Sequence, residues 1–235
     1  MKASIMQCLY KRNLTMLRRQ KCFAKTETVA NELMELGVRD VEIAPVGLDL
    51  SVIPQITEEK MKLRARLKLP EDKIILLFVG RIDEYKNPLE AVELMARLPM
   101  HYYMVMIGTG ELDQKLDQKI STLQCANRIL RILRVPNEEI HSFYAASDWL
   151  VNFNRDEIFG MSILEALYQN CKVLAYHAPG PDYILREVGT VVDSMDDMKA
   201  HIMSNNFVRE DTSHYVKEHF DWIHTAKIIN EWIEE

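Results

Sequence analysis

Cysteine is scarce in this chain. Four occur among 235 residues, and Cys8, Cys22, Cys125 and Cys171 are widely scattered. They form no C-x-x-C pair and no zinc spacing, which points to a reduced, cytosolic protein. Long apolar runs are also lacking. No stretch approaches the roughly 18 residues that span a bilayer, and no signal peptide is evident. Metal-binding patterns are missing: the seven His are dispersed, with no H-E-x-x-H motif and no paired Asp site. His141 and His177 read as ordinary polar residues. No internal repeat or low-complexity segment occurs.

Acidic residues are absent from one region only. Residues 1–26 carry seven Lys or Arg and no Asp or Glu. The remaining 22 basic and 35 acidic residues carry a net charge of −13, within −6 for the whole chain. A body so acidic does not suit nucleic acid. The basic segment could touch anionic lipid head groups at the cytoplasmic face of a membrane. The pattern reads more readily as a plain helix of a missing neighbour domain, with Met6, Tyr10, Leu14 and Leu17 as its buried stripe.

What is present is an ordinary globular core, 48% apolar, in a chain long enough for one large domain or one domain and a fragment. After the basic segment, Cys22 to Lys25 reads as a short strand. Thr26 could cap a helix that runs to Gly37, a C-cap, and Val41 to Ala44 is another strand. Pro45, Gly47 and Pro54 punctuate a linker. Strands and helices then alternate. The predicted strands are Ile74–Val79, Tyr103–Ile107, Arg128–Leu133, Trp149–Phe153, Lys172–Tyr176 and Thr190–Val192. Predicted helices fall near 88–98, 111–122, 138–147, 160–170 and 182–187, and a helical tail runs from about Asp196 to Glu235. Continuously apolar strands such as IILLFV suit a parallel sheet covered on both faces. The expected fold is an α/β, doubly wound, parallel six-stranded Rossmann-like sheet.

In such sheets ligands bind beyond the carboxyl ends of the strands. Gly80 and Arg81 follow the first strand, Gly108 to Gly110 the second, Arg134 the third and Glu157 the fourth. The most informative segment is EIFGMSILEA, from Glu157 to Ala166. It sets a carboxylate in a loop, a Phe-Gly step at a helix start and a second carboxylate inside the helix. Helix N-terminal N–H groups attract phosphate. Glu165 lies five residues past Gly160, about 7.5 Å along the axis, which is about one ribose from a diphosphate held there. Its two oxygens suit a vicinal diol. As a helix former off the apolar face of Ile163, Leu164 and Leu167, it could also be simply solvated. Gly108 and Gly110 allow close backbone approach to a ligand, or form an ordinary strand-to-helix turn.

EIFGMSILEA resembles the E-x7-E signature of retaining glycosyltransferases of the GT-B fold, specifically glycosyltransferase family 4. VGRIDEYKNP (Val79 to Pro88) resembles that family's G-R-x4-K segment, and VMIGTGE (Val105 to Glu111) its I-G-x-G turn. FYAASDWLVNF (Phe143 to Phe153) resembles the segment before the signature. PVGLD (Pro45 to Asp49) resembles the N-G-x-D linker that opens the nucleotide domain. The motifs stand in family order over residues 22 to 235.

The resemblance implies a UDP-sugar or GDP-sugar donor, a glycan or lipid acceptor, and metal-independent transfer with retained anomeric configuration through front-face attack. No cofactor is implied. Arg81 and Lys86 would contact the donor diphosphate, Glu157 the sugar hydroxyls and Glu165 the ribose. The backbone of Phe159, Gly160 and Met161 would meet diphosphate or sugar, and that of Arg134 and Val135 the base. Gly80, Gly108 and Gly110 would shape the donor pocket. Two departures stand out. A glycine common near the third strand end is absent from ILRVPNEEI. APGPDYI (Ala178 to Ile184) replaces the usual Gly-Gly-x-x-Glu, leaving Asp182 able to cap the next helix.

The implied layout is a remnant of the first GT-B domain over 1–45, a nucleotide-sugar-binding domain over 46–215 and a C-terminal helix over 216–235 that packs back on the first domain. The acceptor pocket, glycine-rich loop and catalytic His of a first domain have no counterpart. The expected protein is therefore a donor-binding half that needs an N-terminal domain in cis or in trans, or a non-catalytic nucleotide-sugar-binding subunit of a partner chain. A dehydrogenase is disfavoured, because no G-x-G-x-x-G follows the first strand.

Overall fold

The computed structural model describes residue 13, residues 15–204 and residues 211–234. Of the stripe expected in the basic segment, only Leu17 lies within the described residues, and it is exposed. Two parallel strands, β1 (Lys21–Ala24) and β2 (Asp40–Ile43), flank α1 (Glu27–Glu35). The Thr26 hydroxyl accepts from the Val29 N–H at 3.3 Å and caps α1. Gly37 ends it at φ +89°, a conformation glycine adopts without strain.

The main sheet holds six parallel strands in the order β5-β4-β3-β6-β7-β8. They are β3 (Ile74–Val79), β4 (Tyr102–Ile107), β5 (Ile129–Ile132), β6 (Trp149–Asn152), β7 (Lys172–Tyr176) and β8 (Thr190–Val192). The chain steps outward from β3 to β5, returns to β6 beside β3, and steps outward again. This is the doubly wound pattern, and its crevice opens where the order reverses, between β3 and β6. Side chains alternate across the pleat. Ile75, Leu77, Val105, Leu150 and Val173 bury on one face, while Leu76, Phe78, Met104, Met106 and Leu174 bury on the other. The first face packs against α5 (Asn137–Ala146), α6 (Met161–Tyr168) and α7 (Pro179–Leu185). The second packs against α3 (Pro88–Arg97) and α4 (Asp113–Thr122). That two-sided burial is why these strands read as unbroken apolar runs.

Three features differ from expectation. Between the linker and β3 stands α2 (Lys60–Arg66), which matches no expected element. Its Arg64 is buried. The guanidinium donates to the Ala146 carbonyl at 2.9 Å, the Lys73 carbonyl at 3.1 Å and Asp148 at 2.7 Å. Second, α7 starts at Pro179, because proline suits the first helical turn. Asp182 is therefore inside the helix and caps nothing; it pairs with His177 Nδ1 at 2.7 Å. Third, the tail is broken into α8 (Met195–Ser204), α9 (Thr212–His219) and α10 (Trp222–Glu234), and residues 205–210 and Glu235 lie outside the described residues.

The break between α9 and α10 has a clear cause. Leu48 N–H donates to the Phe220 carbonyl at 2.7 Å, and Trp222 N–H to the Leu48 carbonyl at 2.9 Å. The backbone there pairs with the linker instead of continuing a helix. A Cβ on Gly47 would lie 2.5 Å from the Trp222 nitrogen, so only glycine permits this crossing. Beyond it α10 returns to β1, where Trp232 meets Phe23 edge-on at 4.7 Å and Lys21 donates to the Trp232 carbonyl at 2.7 Å.

Candidate functional site

The loops after β3 and β4 lie against each other backbone to backbone. Gly80 N–H donates to the Ile107 carbonyl at 3.1 Å, and Ile82 N–H to the Thr109 carbonyl at 3.1 Å. Gly108 has φ +139°, and a Cβ there would sit 1.9 Å from the Gly80 oxygen, so no other residue fits. The result is a surface of bare backbone at the carboxyl ends of the two strands. It forms part of a cleft of about 920 Å³, a volume ordinary for a small-molecule site.

Six of the predicted site residues line this cleft: Gly80, Arg81, Gly108, Arg134, Val135 and Glu165. A further wall comes from Val52, Ile53 and Pro54 of the linker. Gln169 holds that wall: its side chain donates to the Pro54 carbonyl at 2.8 Å and accepts from the Ile56 N–H at 2.9 Å. Gly110 does not line the cleft. Its N–H and the Thr109 hydroxyl both donate to Asp113. Those bonds, the Thr109 hydroxyl first, hold the Asp113 carboxyl below the usual carboxylate range.

Lys86 and Glu157 sit beside the cleft as an ion pair, each largely buried. The Lys86 stem packs on Gly80: a Cβ there would be 3.3 Å from Lys86 Cγ. Two residues set this position. Asp83, buried, accepts from the Lys86 N–H at 3.0 Å and pairs with Arg81 at 3.0 Å. Asn87 takes the left-handed conformation (φ 49°) that Asn tolerates, and donates to the Phe153 carbonyl at 3.1 Å. Arg81, by contrast, has a side chain 74% exposed. Glu157 also accepts from Asn154 at 3.3 Å and from Asn152 at 3.5 Å.

The loop carrying Glu157 leads into α6. Gly180 N–H donates to the Glu157 carbonyl at 2.8 Å, pinning the loop to α7. Phe159 is buried, its ring near Phe220 and its backbone against Gly180, where a Cβ would lie 2.1 Å from the Phe159 oxygen. The expected backbone contact with a ligand is therefore covered at this residue. Gly160 caps α6 at φ +99°, and Met161, exposed, opens the helix. Of the first N–H groups of α6, those of Ile163 and Leu164 donate to the Gly160 carbonyl, while Ser162 shares a small pocket with Lys86 and Asn152.

Glu165 is not a solvated surface residue. It accepts from the hydroxyl of the fully buried Tyr144 at 2.7 Å. Burial raises its carboxyl above the usual value near 4.5, and the Tyr144 bond offsets this in part. Burial also keeps the Tyr144 hydroxyl protonated, well above its ordinary range, and lowers the His141 imidazole. His141 lines the same cleft with a buried Nδ1 that has no protein partner among the described residues. Nothing in its local spacing in the sequence marks His141 for this place.

A raised native carboxyl has a stability consequence. The folded state holds the Glu165 proton more tightly than the unfolded chain does. Its contribution is full below about 4.5 and is lost as pH rises through the native value. Glu165→Gln should therefore raise the Tm of the ligand-free protein at pH 7.5 but not at pH 4. About 1 kcal/mol corresponds to about 2–4 °C in a chain of this size. An unchanged or lower Tm at neutral pH would mean that the carboxylate carries no such cost.

Among the described residues no group of three or more His, Cys, Asp or Glu could hold a metal ion, and no helix is long and apolar enough to cross a membrane. A family model described as glycosyl transferases group 1 matches residues 59–233. The chain belongs to that family. A curated relative, the D-inositol 3-phosphate glycosyltransferase of Nocardioides sp., is 30% identical over 87% of this chain and 51% of its own length. The putative teichuronic acid biosynthesis glycosyltransferase TuaC of Bacillus subtilis is 28% identical over 67% of this chain and 38% of its own. The chain thus spans about half the length, or less, of these relatives. HepE from Anabaena, solved in complex with UDP-glucose, superposes with a TM-score of 0.82 over 95% of this chain and 66% of that one, at 18% identity. That likeness places the α/β sheet of this group 1 chain among GT-B glycosyltransferase structures.

Proposed function

We propose that this chain is the donor-binding half of a retaining, family 4-type glycosyltransferase that uses a UDP-sugar or GDP-sugar to extend a glycan or lipid acceptor at the cytoplasmic face of a membrane. Residues 46–215 bind the nucleotide sugar. Residues 1–45 belong with an N-terminal acceptor domain, in the same chain or in a partner, and α10 packs back on it. The naming of relatives for teichuronic acid and inositol phosphate chemistry and the UDP-glucose bound by HepE support this reading.

The observation that carries it is the conjunction at one strand-end cleft. A half-buried carboxylate, Glu165, stands inside the helix whose N-terminus adjoins a Lys86–Glu157 pair. Ribose hydroxyls meet Glu165. The diphosphate meets the N–H groups at the start of α6 and Lys86, which stabilise the charge that develops as the sugar leaves. Glu157, held by two Asn amides, accepts from donor-sugar hydroxyls. The backbone of Arg134 and Val135 meets the base.

Losing a charged hydrogen-bond partner costs about 1.5–3 kcal/mol, so Glu165→Ala should weaken UDP or GDP binding about tenfold to a hundredfold. Calorimetric titration of wild type and variant with both nucleotides tests it. Equal affinities for the two proteins would remove Glu165 from the site.

A further inference from the structure

The geometry points to Tyr144 as a positioning residue for donor recognition: its hydroxyl clamps one oxygen of Glu165, so that the other is presented to the ribose. The inference rests on the reading of Glu165 as the ribose acceptor. Tyr144 lies on α5 and Glu165 on α6, and their hydroxyl and Oε2 are 2.7 Å apart. Tyr144 is 0% exposed, so its ring cannot swing away and its hydroxyl has one direction to point. Among the described residues Glu165 Oε1 has no protein donor, and Glu165 forms part of the cleft wall. A carboxylate free at both oxygens would rotate about its last torsion, which is broad. Fixing Oε2 removes that freedom before the ligand arrives and lowers the ordering cost of binding.

The charged and titratable groups around Glu165 are Tyr144 and His141 from α5, Arg134 from the loop after β5, and Arg81 from the loop after β3, with Glu138 also lining the cleft. Of these, only Tyr144 is bonded to the carboxylate. Its bond favours the ionised form, so removing it raises the Glu165 carboxyl further. The acid limb of nucleotide binding should then move to higher pH. A merely structural tyrosine would not produce that movement.

UDP affinity is to be measured calorimetrically across about pH 5–8 for wild type, Tyr144→Phe and Glu165→Ala; the titration of the ligand's own phosphate is common to all three. Tyr144→Phe is expected to bind about threefold to tenfold more weakly at the alkaline end, with its acid limb displaced upward, while Glu165→Ala loses that limb. If Glu165→Ala binds like wild type, the ribose assignment and this inference both fall. If Glu165→Ala is weak but Tyr144→Phe matches wild type in affinity and pH profile, the ribose assignment stands and the clamp is overturned. Should Tyr144→Phe fail to fold, fluorotyrosine at position 144 keeps the packing and donates more strongly. The limb must then move to lower pH, and an unmoved limb overturns the clamp.

Discussion

Lys86→Ala should abolish most binding of a nucleoside diphosphate while leaving the bare nucleoside nearly unaffected. A hydrogen bond from a charged donor to a phosphate oxygen contributes about 1.5–3 kcal/mol, or about tenfold to a hundredfold in affinity. Lys86 is placed to make one. Its side chain is 22% exposed, its backbone is tied to Asp83, and its ammonium meets Glu157 beside the start of α6. Arg81 is the other expected contact to the diphosphate. Its guanidinium is 74% exposed and paired with Asp83, so solvent screens it. Arg81→Ala should show the same preference for the diphosphate with a smaller loss and a steeper dependence on salt. Titration of both variants with uridine and UDP at several salt concentrations decides the matter. Equal weakening of nucleoside and diphosphate by Lys86→Ala would show that Lys86 does not read the phosphate.

The split between Arg81 and Lys86 illustrates what the sequence could and could not convey. Both follow an apolar strand and a glycine, so both read as phosphate ligands. Which one is buried depends on Asp83 and Asn87, whose roles rest on a turn and a left-handed backbone that composition does not announce. The sheet itself was legible to within about a residue at most strand ends, because two-sided burial writes unbroken runs such as IILLFV into the chain. Arg64 hid for the opposite reason. An arginine in a charged helix reads as solvated, yet this one saturates two carbonyls and a carboxylate more than seventy residues away in two of three cases. Tyr144 and Glu165 are 21 residues apart on different helices, and no local periodicity couples them. The Val52–Pro54 wall is equally non-local, since it exists only because Gln169 grips the linker from the end of α6. Most of the residues proposed to meet the ligand lie at or just past strand ends, where the sequence could suggest them. Residues that position those residues are set by packing between helices, and it could not suggest those.

Residues 1–235 assayed by themselves should bind donor yet transfer no measurable sugar, with at most slow donor hydrolysis. A transferase must hold donor and acceptor together, and that proximity can supply about 7–11 kcal/mol of the barrier. The described residues hold one six-stranded parallel sheet, while the second sheet beside it has only the parallel strands β1 and β2, joined by α1. The strand-end cleft gathers Glu165, Gly80 and Gly108 on the six-stranded sheet. Across from it, a GT-B enzyme places the face that binds the acceptor and orients its nucleophile. Without that face the developing charge at the sugar meets water instead of an acceptor hydroxyl, and hydrolysis is the only outlet. Supplying an acceptor-binding domain, in the same chain or as a partner, should restore transfer. The assay offers several UDP- and GDP-sugars with mixed glycan and lipid acceptors and measures both free sugar and new glycoside. Robust glycoside formation by these residues alone would mean that they contain an acceptor site of their own, and the division into donor and acceptor halves would have to be abandoned.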